Sequence, residues 1–356
     1  MSKLDFTVAV TVEIPPASVD ELQRRFKKVH YHPDGNIDAS AIPEIQLWLT
    51  PNSGLPASIP SIKDLPALKH IQLVSAGAEK ALATQQMQAY ATSPGNATLS
   101  TASGLHVLSI PNYVIAQMIN ICSQIPRQIA VGRSTKRWHS AQEVDESGGE
   151  VYYNRMTKGK TVGFLGYGAL GRETARLLQS FGMKLIAANT SGKATPQATY
   201  IIPGTGDADG SIPSRYYSTK NSKSLEEFLK QSDVLVCSLP RTDATAYFLD
   251  SQKLSLLPKG AVFINVGRGN LISSEELQKA LDVPGALLGA AIDVTDPEPL
   301  PDNHFLWSHP KLLITPHLSG DTENELGIAA DIFLANAERI AAGKDVYNKV
   351  HFARGY

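Results

Sequence analysis

Three side chains able to handle charge and protons follow apolar runs in the last third of the chain. Arg268 follows AVFINV in the string NVGRGN, Glu298 follows the run ending IDV in DVTDPEPLP, and His317 follows LLIT in TPHLSGDT. Taken singly, each has a plain reading: a salt-bridged surface arginine, a loop glutamate between prolines, a structural histidine. A cation, a carboxylate and an imidazole at successive strand ends are harder to assign to chance, because the carboxyl edge of an open α/β sheet is where ligands sit.

Upstream, Gly166, Gly168 and Gly171 form a GxGxxG string after the apolar run TVGFL, with Ala169 and Leu170 opening an amphipathic helical stretch. The first glycine permits a tight turn, the second lets backbone approach a pyrophosphate, and the third lets helix and strand pack closely. The helix start then supplies free N–H groups to the anion. An acidic residue about 20 positions on would grip the ribose hydroxyls of NAD. The sequence has none there: it reads Asn189-Thr190-Ser191-Gly192-Lys193. A carboxylate would repel a 2′-phosphate, so its absence points to NADP(H), with NAD(H) left open. Arg215 or Lys220 could fold over that phosphate.

The elements that must position these groups read as alternating strands and helices. Strand-like runs stand at 161–166, 184–188, 234–239, 261–266, 288–294 and 312–315. Capping pairs Ser224/Glu227, Ser273/Glu276 and Thr322/Glu325 mark helix starts between and after them. Such alternation implies a parallel sheet covered on both faces. The first hundred residues carry further strand-like runs at 6–12, 45–49 and 70–74. Pro111 opens an expected helix over about 111–130. Residues 192–221, rich in Gly, Pro and Ser, read as an insertion where a short connector would serve.

Composition narrows the function classes. The 356 residues are 42% apolar and 19% charged, ordinary for a globular protein of two domains. Thirty-three basic against 34 acidic residues give a net charge of −1, which argues against nucleic acid as a partner. Cys122 and Cys237 lie in apolar surroundings and read as small core residues, so no disulfide or metal site is expected. No apolar run reaches the ~18 residues of a membrane span. The amino terminus reads as a strand and not a signal peptide, giving the expectation of a cytoplasmic protein.

The strings GYGALGRETARLLQSFGMK, SLPRTDAT, INVGRGNLI, AAIDVTDPEPLP and LWSHPKLLITPHLSG resemble those of the D-isomer-specific 2-hydroxyacid dehydrogenases, most of all their glyoxylate/hydroxypyruvate reductase-like branch. The resemblance is close from about 160 to 325 and looser before 110. It implies two Rossmann-like/flavodoxin-like α/β domains with an active-site cleft between them. A substrate-binding domain would comprise 1–115 plus 323–356, and a dinucleotide-binding domain 116–322, with a homodimer formed through the latter. It also implies hydride transfer between NADP(H) and a small 2-oxo acid or D-2-hydroxy acid. Arg268 would hold the substrate carboxylate and reacting oxygen, His317 would be the general acid or base, and Glu298 would orient it. Asp293 would meet the nicotinamide amide, Val266 and Leu239-Pro240 would line the cofactor, and backbone N–H groups of Ala76 and Gly77 would clamp the carboxylate. Pro111-Asn112-Tyr113 departs from the family string near the start of the interdomain helix. A non-catalytic dinucleotide-sensing module of the same fold is the alternative; a formate dehydrogenase is disfavoured, because that branch has glutamine where Glu298 stands.

Overall fold

A computed structural model describes residues 3–59, 65–92, 97–148 and 154–352. The chain divides into two compact units. The first comprises Met1–His106, Ala198–Ile202 and Thr322–Tyr356, and the second Val107–Gln197 and Pro203–Asp321.

The first unit holds five strands, β1 (Leu4–Val10), β2 (Phe26–Tyr31), β3 (Leu47–Thr50), β4 (His70–Leu73) and β5 (Thr98–Ser100). They pair in parallel in the order β2-β1-β3-β4-β5, the flavodoxin-like order. Alternate residues feed two cores. Val8, Val10, Leu47 and Leu49 meet Leu22, Phe333 and Ala337 of the helices Pro16–Arg25 and Glu325–Ala341, while Ala9, Trp48, Ile71 and Leu73 pack with Met87 and Tyr90. The run expected at 6–12 starts earlier, at Leu4. β2 and β5 escape the sequence pattern because FKKVHY carries lysines and TLS is three residues long.

The second unit holds β6 (Thr161–Leu165), β7 (Lys184–Asn189), β8 (Arg215–Ser218), β9 (Val234–Cys237), β10 (Ala261–Asn265), β11 (Leu287–Ile292) and β12 (Leu312–Ile314). Their order is β12-β11-β10-β9-β6-β7-β8, all parallel. This is the Rossmann order with one further strand. The strands are continuously apolar because both faces are covered. Phe164, Val236 and Ile264 enter one core, and Leu165, Leu235, Cys237 and Phe263 the other. Cys122 and Cys237 are buried, free core thiols.

Four sequence expectations change. The helix expected over 111–130 is two helices, Ile110–Cys122 and Ile125–Thr135, broken at Gln124 (φ 51°). Pro126 cannot continue a helix interior, so the chain restarts there with proline in the first turn. The helix Ser222–Gln231 is capped by Asn221, which accepts from the Ser224 N–H, three residues before the expected cap. The last helix begins at Glu325 after Asn324 and not at Thr322, whereas Ser273 caps its helix as read, accepting from the Glu276 N–H. Finally, residues 215–218 of the supposed insertion are β8, the edge strand of the Rossmann sheet.

Beneath β4 lies a buried polar ladder. His70 is fully buried, with Nδ1 2.8 Å from Thr98 Oγ1 and Nε2 3.5 Å from Gln72 Oε1, and Asn336 donates to Gln72 Oε1 at 2.8 Å. Burial pushes the His70 pKa from 6.5 down to about 4. A base whose pKa is depressed on folding contributes its full stability above the unfolded value, and that contribution is lost as pH falls from 6.5 towards 4. The shift predicts that the first unit loses about 2 kcal/mol between neutral pH and about pH 5 through this residue. Urea unfolding followed by the buried Trp48 checks this, since Trp138 and Trp307 are 94% and 48% exposed. The loss should shrink in His70→Gln; equal pH dependence in both proteins contradicts the assignment.

Candidate active site

The chemistry-bearing residues lie along the carboxyl edge of the seven-stranded sheet in strand order. His317 follows β12, Asp293 and Glu298 follow β11, and Val266 and Arg268 follow β10. Leu239-Pro240 follow β9, the glycine string follows β6, and Asn189 ends β7. With parallel strands about 4.8 Å apart, the line from β7 to β11 spans about 19 Å, an extended track suited to a dinucleotide.

His317 sits in the left-handed region (φ 57°), a conformation that costs a non-glycine residue and must be enforced from outside. Asp293 enforces it. Its carboxylate, 2% exposed, accepts from Thr315 Oγ1 at 2.5 Å, from the Leu318 and Ser319 N–H groups at 3.2 and 3.1 Å, and from the Ser319 hydroxyl. Four donors on two oxygens use the acceptor capacity of a carboxylate. Asp293 thus acts on the site by shaping the 315–319 loop. Tyr113 extends the chain of bonds, its phenol lying 2.7 Å from Thr315 Oγ1. This gives the divergent Pro-Asn-Tyr string a definite place beneath the loop. Burial, the first cause, pushes the Tyr113 pKa up, and nearby Asp293 adds to the rise.

So held, His317 points Nδ1 at Glu298 Oε1, 2.7 Å away, with both side chains about half exposed. The contact orients the ring and leaves Nε2 as the nitrogen turned to a reacting partner. Glu298 is carried by a loop with two cis-proline bonds, Asp296-Pro297 and Glu298-Pro299; the Thr295 hydroxyl donates to Pro297 O. Arg268 is half-buried. Asn265 fixes its backbone, donating Nδ2 to Arg268 O at 3.0 Å and accepting from the Gly267 N–H at 3.1 Å. Arg268 Nη1 donates to Gly267 O at 2.9 Å.

The glycine string fits a dinucleotide phosphate on structural grounds. Gly166 turns with φ 90°. A Cβ on Gly171 would lie 2.9 Å from Gly166 O, so the third glycine serves close packing. A Cβ on Gly168 would meet nothing within 4 Å, and its φ of −86° suits any residue. Neither packing nor backbone requires glycine there, and the space beside the start of helix Ala169–Leu178 is open. That helix start has N–H groups without intrahelical partners, which favour an anion.

At the end of β7, the Asn189 side chain closes its own loop. Nδ2 donates to Lys193 O at 2.8 Å, and Oδ1 accepts from the Gly192 N–H at 2.7 Å and from Ser191 Oγ at 3.1 Å. Thr190, Ser191 and Lys193 are exposed around it. Arg215 does not reach this loop as sequence reading allowed. It pairs with Glu227, stacks over Tyr217, and lies opposite Ile186, about 10 Å along the strand from Asn189. Lys220 is exposed just beyond Thr219, whose N–H donates to Asn189 O. In the first unit, Ala76 and Gly77 stand in a loop after β4 closed by Ser75, whose hydroxyl donates to Gly77 O and whose carbonyl accepts from the Ala102 N–H. Sequence reading missed the supporting groups Thr315, Ser319 and Asn265; their only signal was position beside the TPH and NVGR strings.

The family model described as "D-isomer specific 2-hydroxyacid dehydrogenase, NAD binding domain" matches residues 116–319. An uncharacterized protein in the proB 3′ region of Corynebacterium melassecola is 31% identical over 300 residues, 84% of this chain and 88% of that one. Glyoxylate/hydroxypyruvate reductase A of Salmonella paratyphi B is 33% identical over 196 residues, 55% of this chain and 56% of that one, so the match spans about half of that relative. Among solved structures, a D-isomer specific 2-hydroxyacid dehydrogenase from Xanthobacter autotrophicus Py2, in complex with NADPH and MES, has a TM-score of 0.73 at 24% identity over 99% of this chain and 100% of that one. The NADPH-dependent glyoxylate/hydroxypyruvate reductase of Sinorhizobium meliloti, in complex with NADP and sulfate, has a TM-score of 0.69 at 22% identity over 99% of this chain and 100% of that one. Both show a shared fold of two Rossmann-like domains. With the matched model spanning most of the second unit, the chain belongs to the D-isomer-specific 2-hydroxyacid dehydrogenase family, oxidoreductases with a domain that binds a nicotinamide dinucleotide.

Proposed function

We propose that the protein reduces a small 2-oxo acid of the glyoxylate/hydroxypyruvate type to its D-2-hydroxy acid with NADP(H). The observation that carries this reading is the Glu298–His317 contact at the carboxyl edge, which leaves Nε2 to exchange a proton with substrate oxygen. The cofactor, when bound, supplies the hydride. Gly166, Gly168, Ala169, Leu170 and Gly171 would hold its phosphates, with Leu239, Pro240 and Val266 along its path. Arg268 presents a fixed fork of donors to the substrate carboxylate and carbonyl, and drains charge from the carbonyl oxygen as it gains the proton. Protonated His317 donates that proton from Nε2 in reduction and takes it back in oxidation, while Glu298 holds the ring against rotation. For Ala76 and Gly77, support for a carboxylate-binding role is local: a short loop after a parallel strand, with Ala76 exposed.

Support for NADP(H) comes from the 189–193 loop, which has no carboxylate, exposes Thr190, Ser191 and Lys193, and has Lys220 close by in sequence to its paired strand. A homodimer through the second unit is supported by its exposed apolar side chains Ile129 and Trp138. Among the described residues no helix is long and apolar enough to cross a membrane.

His317→Ala should lower kcat by about 10²–10⁴-fold, the usual worth of general acid–base catalysis, with dinucleotide binding retained. Arg268→Ala should raise KM for the 2-oxo acid and lower kcat together. Steady-state kinetics checks both, and a near-normal rate in either variant removes that residue from its role. Asn189→Asp should lower the NADPH-to-NADH ratio of kcat/KM by about tenfold, equivalent to roughly 1.4 kcal/mol. An unchanged ratio places cofactor selection elsewhere.

A further inference from the structure

The segment between the 189–193 loop and β8 is not a loose elaboration. Three side chains from the glycine turn and the helix behind it reach into it, and all three are buried. Arg172, 3% exposed, donates from Nε to Tyr167 O at 3.1 Å, from Nη1 to Asp207 O at 2.5 Å and from Nη2 to Thr195 O at 2.8 Å. Its guanidinium also lies 5.0 Å from the Tyr167 ring centroid. Glu173, 3% exposed, accepts from the Gly206 N–H at 2.7 Å and from Nε and Nη2 of Arg176 at 2.8 and 2.7 Å. Tyr167, the residue between the first two glycines, donates its phenol to Asp207 Oδ2 at 2.8 Å. Asp207 is 5% exposed, and its carboxylate also accepts from the Ser211 and Ile212 N–H groups at 3.0 and 3.1 Å.

We propose that this segment is a brace for the phosphate-binding turn, and that Arg172 and Asp207 are positioning residues for the dinucleotide. The proposal rests on the cofactor reading above and deepens it. Burying an arginine and two carboxylates costs desolvation that surface packing of a loop does not require. The burial falls on the single non-glycine residue within the turn. Tyr167 is flanked by Gly166 and Gly168, which have no side chains to hold the backbone. Both polar ends of Tyr167 are tied: its carbonyl to Arg172 and its hydroxyl to Asp207. Because a trans peptide is planar with C=O and N–H opposed, fixing the Tyr167 carbonyl also fixes the direction of the Gly168 N–H. A turn set before binding spends less conformational freedom when the ligand arrives. The brace acts on the part shared by NADP(H) and NAD(H), whereas the 189–193 loop discriminates between them.

The test compares Tyr167→Phe, which removes one oxygen and keeps the ring over Arg172, with Asp207→Asn. Dissociation constants for NADPH and for NADH are measured by calorimetry, beside kcat, KM for the 2-oxo acid and thermal melting. The brace predicts about tenfold weaker binding of both dinucleotides in each variant, with their affinity ratio unchanged. It also predicts that KM for the 2-oxo acid and kcat at saturating cofactor stay within about twofold. The double variant should lose less than the two single losses combined, since the Tyr167–Asp207 bond is common to both substitutions. Unchanged affinities with a lowered melting temperature would overturn the brace, as would a loss confined to NADPH. If the unmodified protein binds neither dinucleotide, the cofactor reading itself fails.

Discussion

One carboxylate sets the geometry of the site. Asp293 ends a strand buried on both faces, and its four acceptor positions are taken by the loop that carries the candidate acid. Those bonds offset the cost of a left-handed histidine, and that backbone geometry turns Nδ1 to Glu298 and frees Nε2. Without them the imidazole would be one more mobile loop side chain. The bond from Tyr113 to Thr315 extends the support to a helix outside the sheet. Residues far apart in sequence therefore fix one ring.

The sheet supplies the frame. Parallel strands end on the same edge, so strand order becomes the order of chemistry. The glycine string falls after β6, the 189–193 loop after β7, and Arg268, Glu298 and His317 after β10, β11 and β12. Apolar alternation into two cores keeps each strand in register. The reacting groups on their loops then need only short-range hydrogen bonds to find their places. The turn after β6 is different, because glycines cannot stiffen it and the braced segment before β8 stands behind it.

Much of this was legible in the sequence. Continuous apolar strands, GxGxxG and the strings around Arg268, Glu298 and His317 depend on local pattern, and the strand and site positions follow from them. What was not legible depends on long-range pairing. RYYS reads as part of a polar insertion until β7 is there to pair with it. Local pattern likewise does not show that the Asn189 amide closes the 189–193 loop or that Arg215 pairs with Glu227. Asp207 and Arg172 gave no signal, since a buried contact between residues 35 apart leaves no periodicity.

In the proposed reaction the Glu298–His317 edge serves hydride transfer to a 2-oxo acid. The most direct measurement is oxidation of NADPH, with NADH in parallel, against 2-oxo acids from glyoxylate to phenylpyruvate, with chiral analysis of the products that carry a stereocentre. The expected result is one mole of 2-hydroxy acid per mole of dinucleotide oxidised, of the D configuration, and faster turnover with NADPH. Tight dinucleotide binding without turnover on any of these acids would contradict it, and would make the protein a dinucleotide sensor.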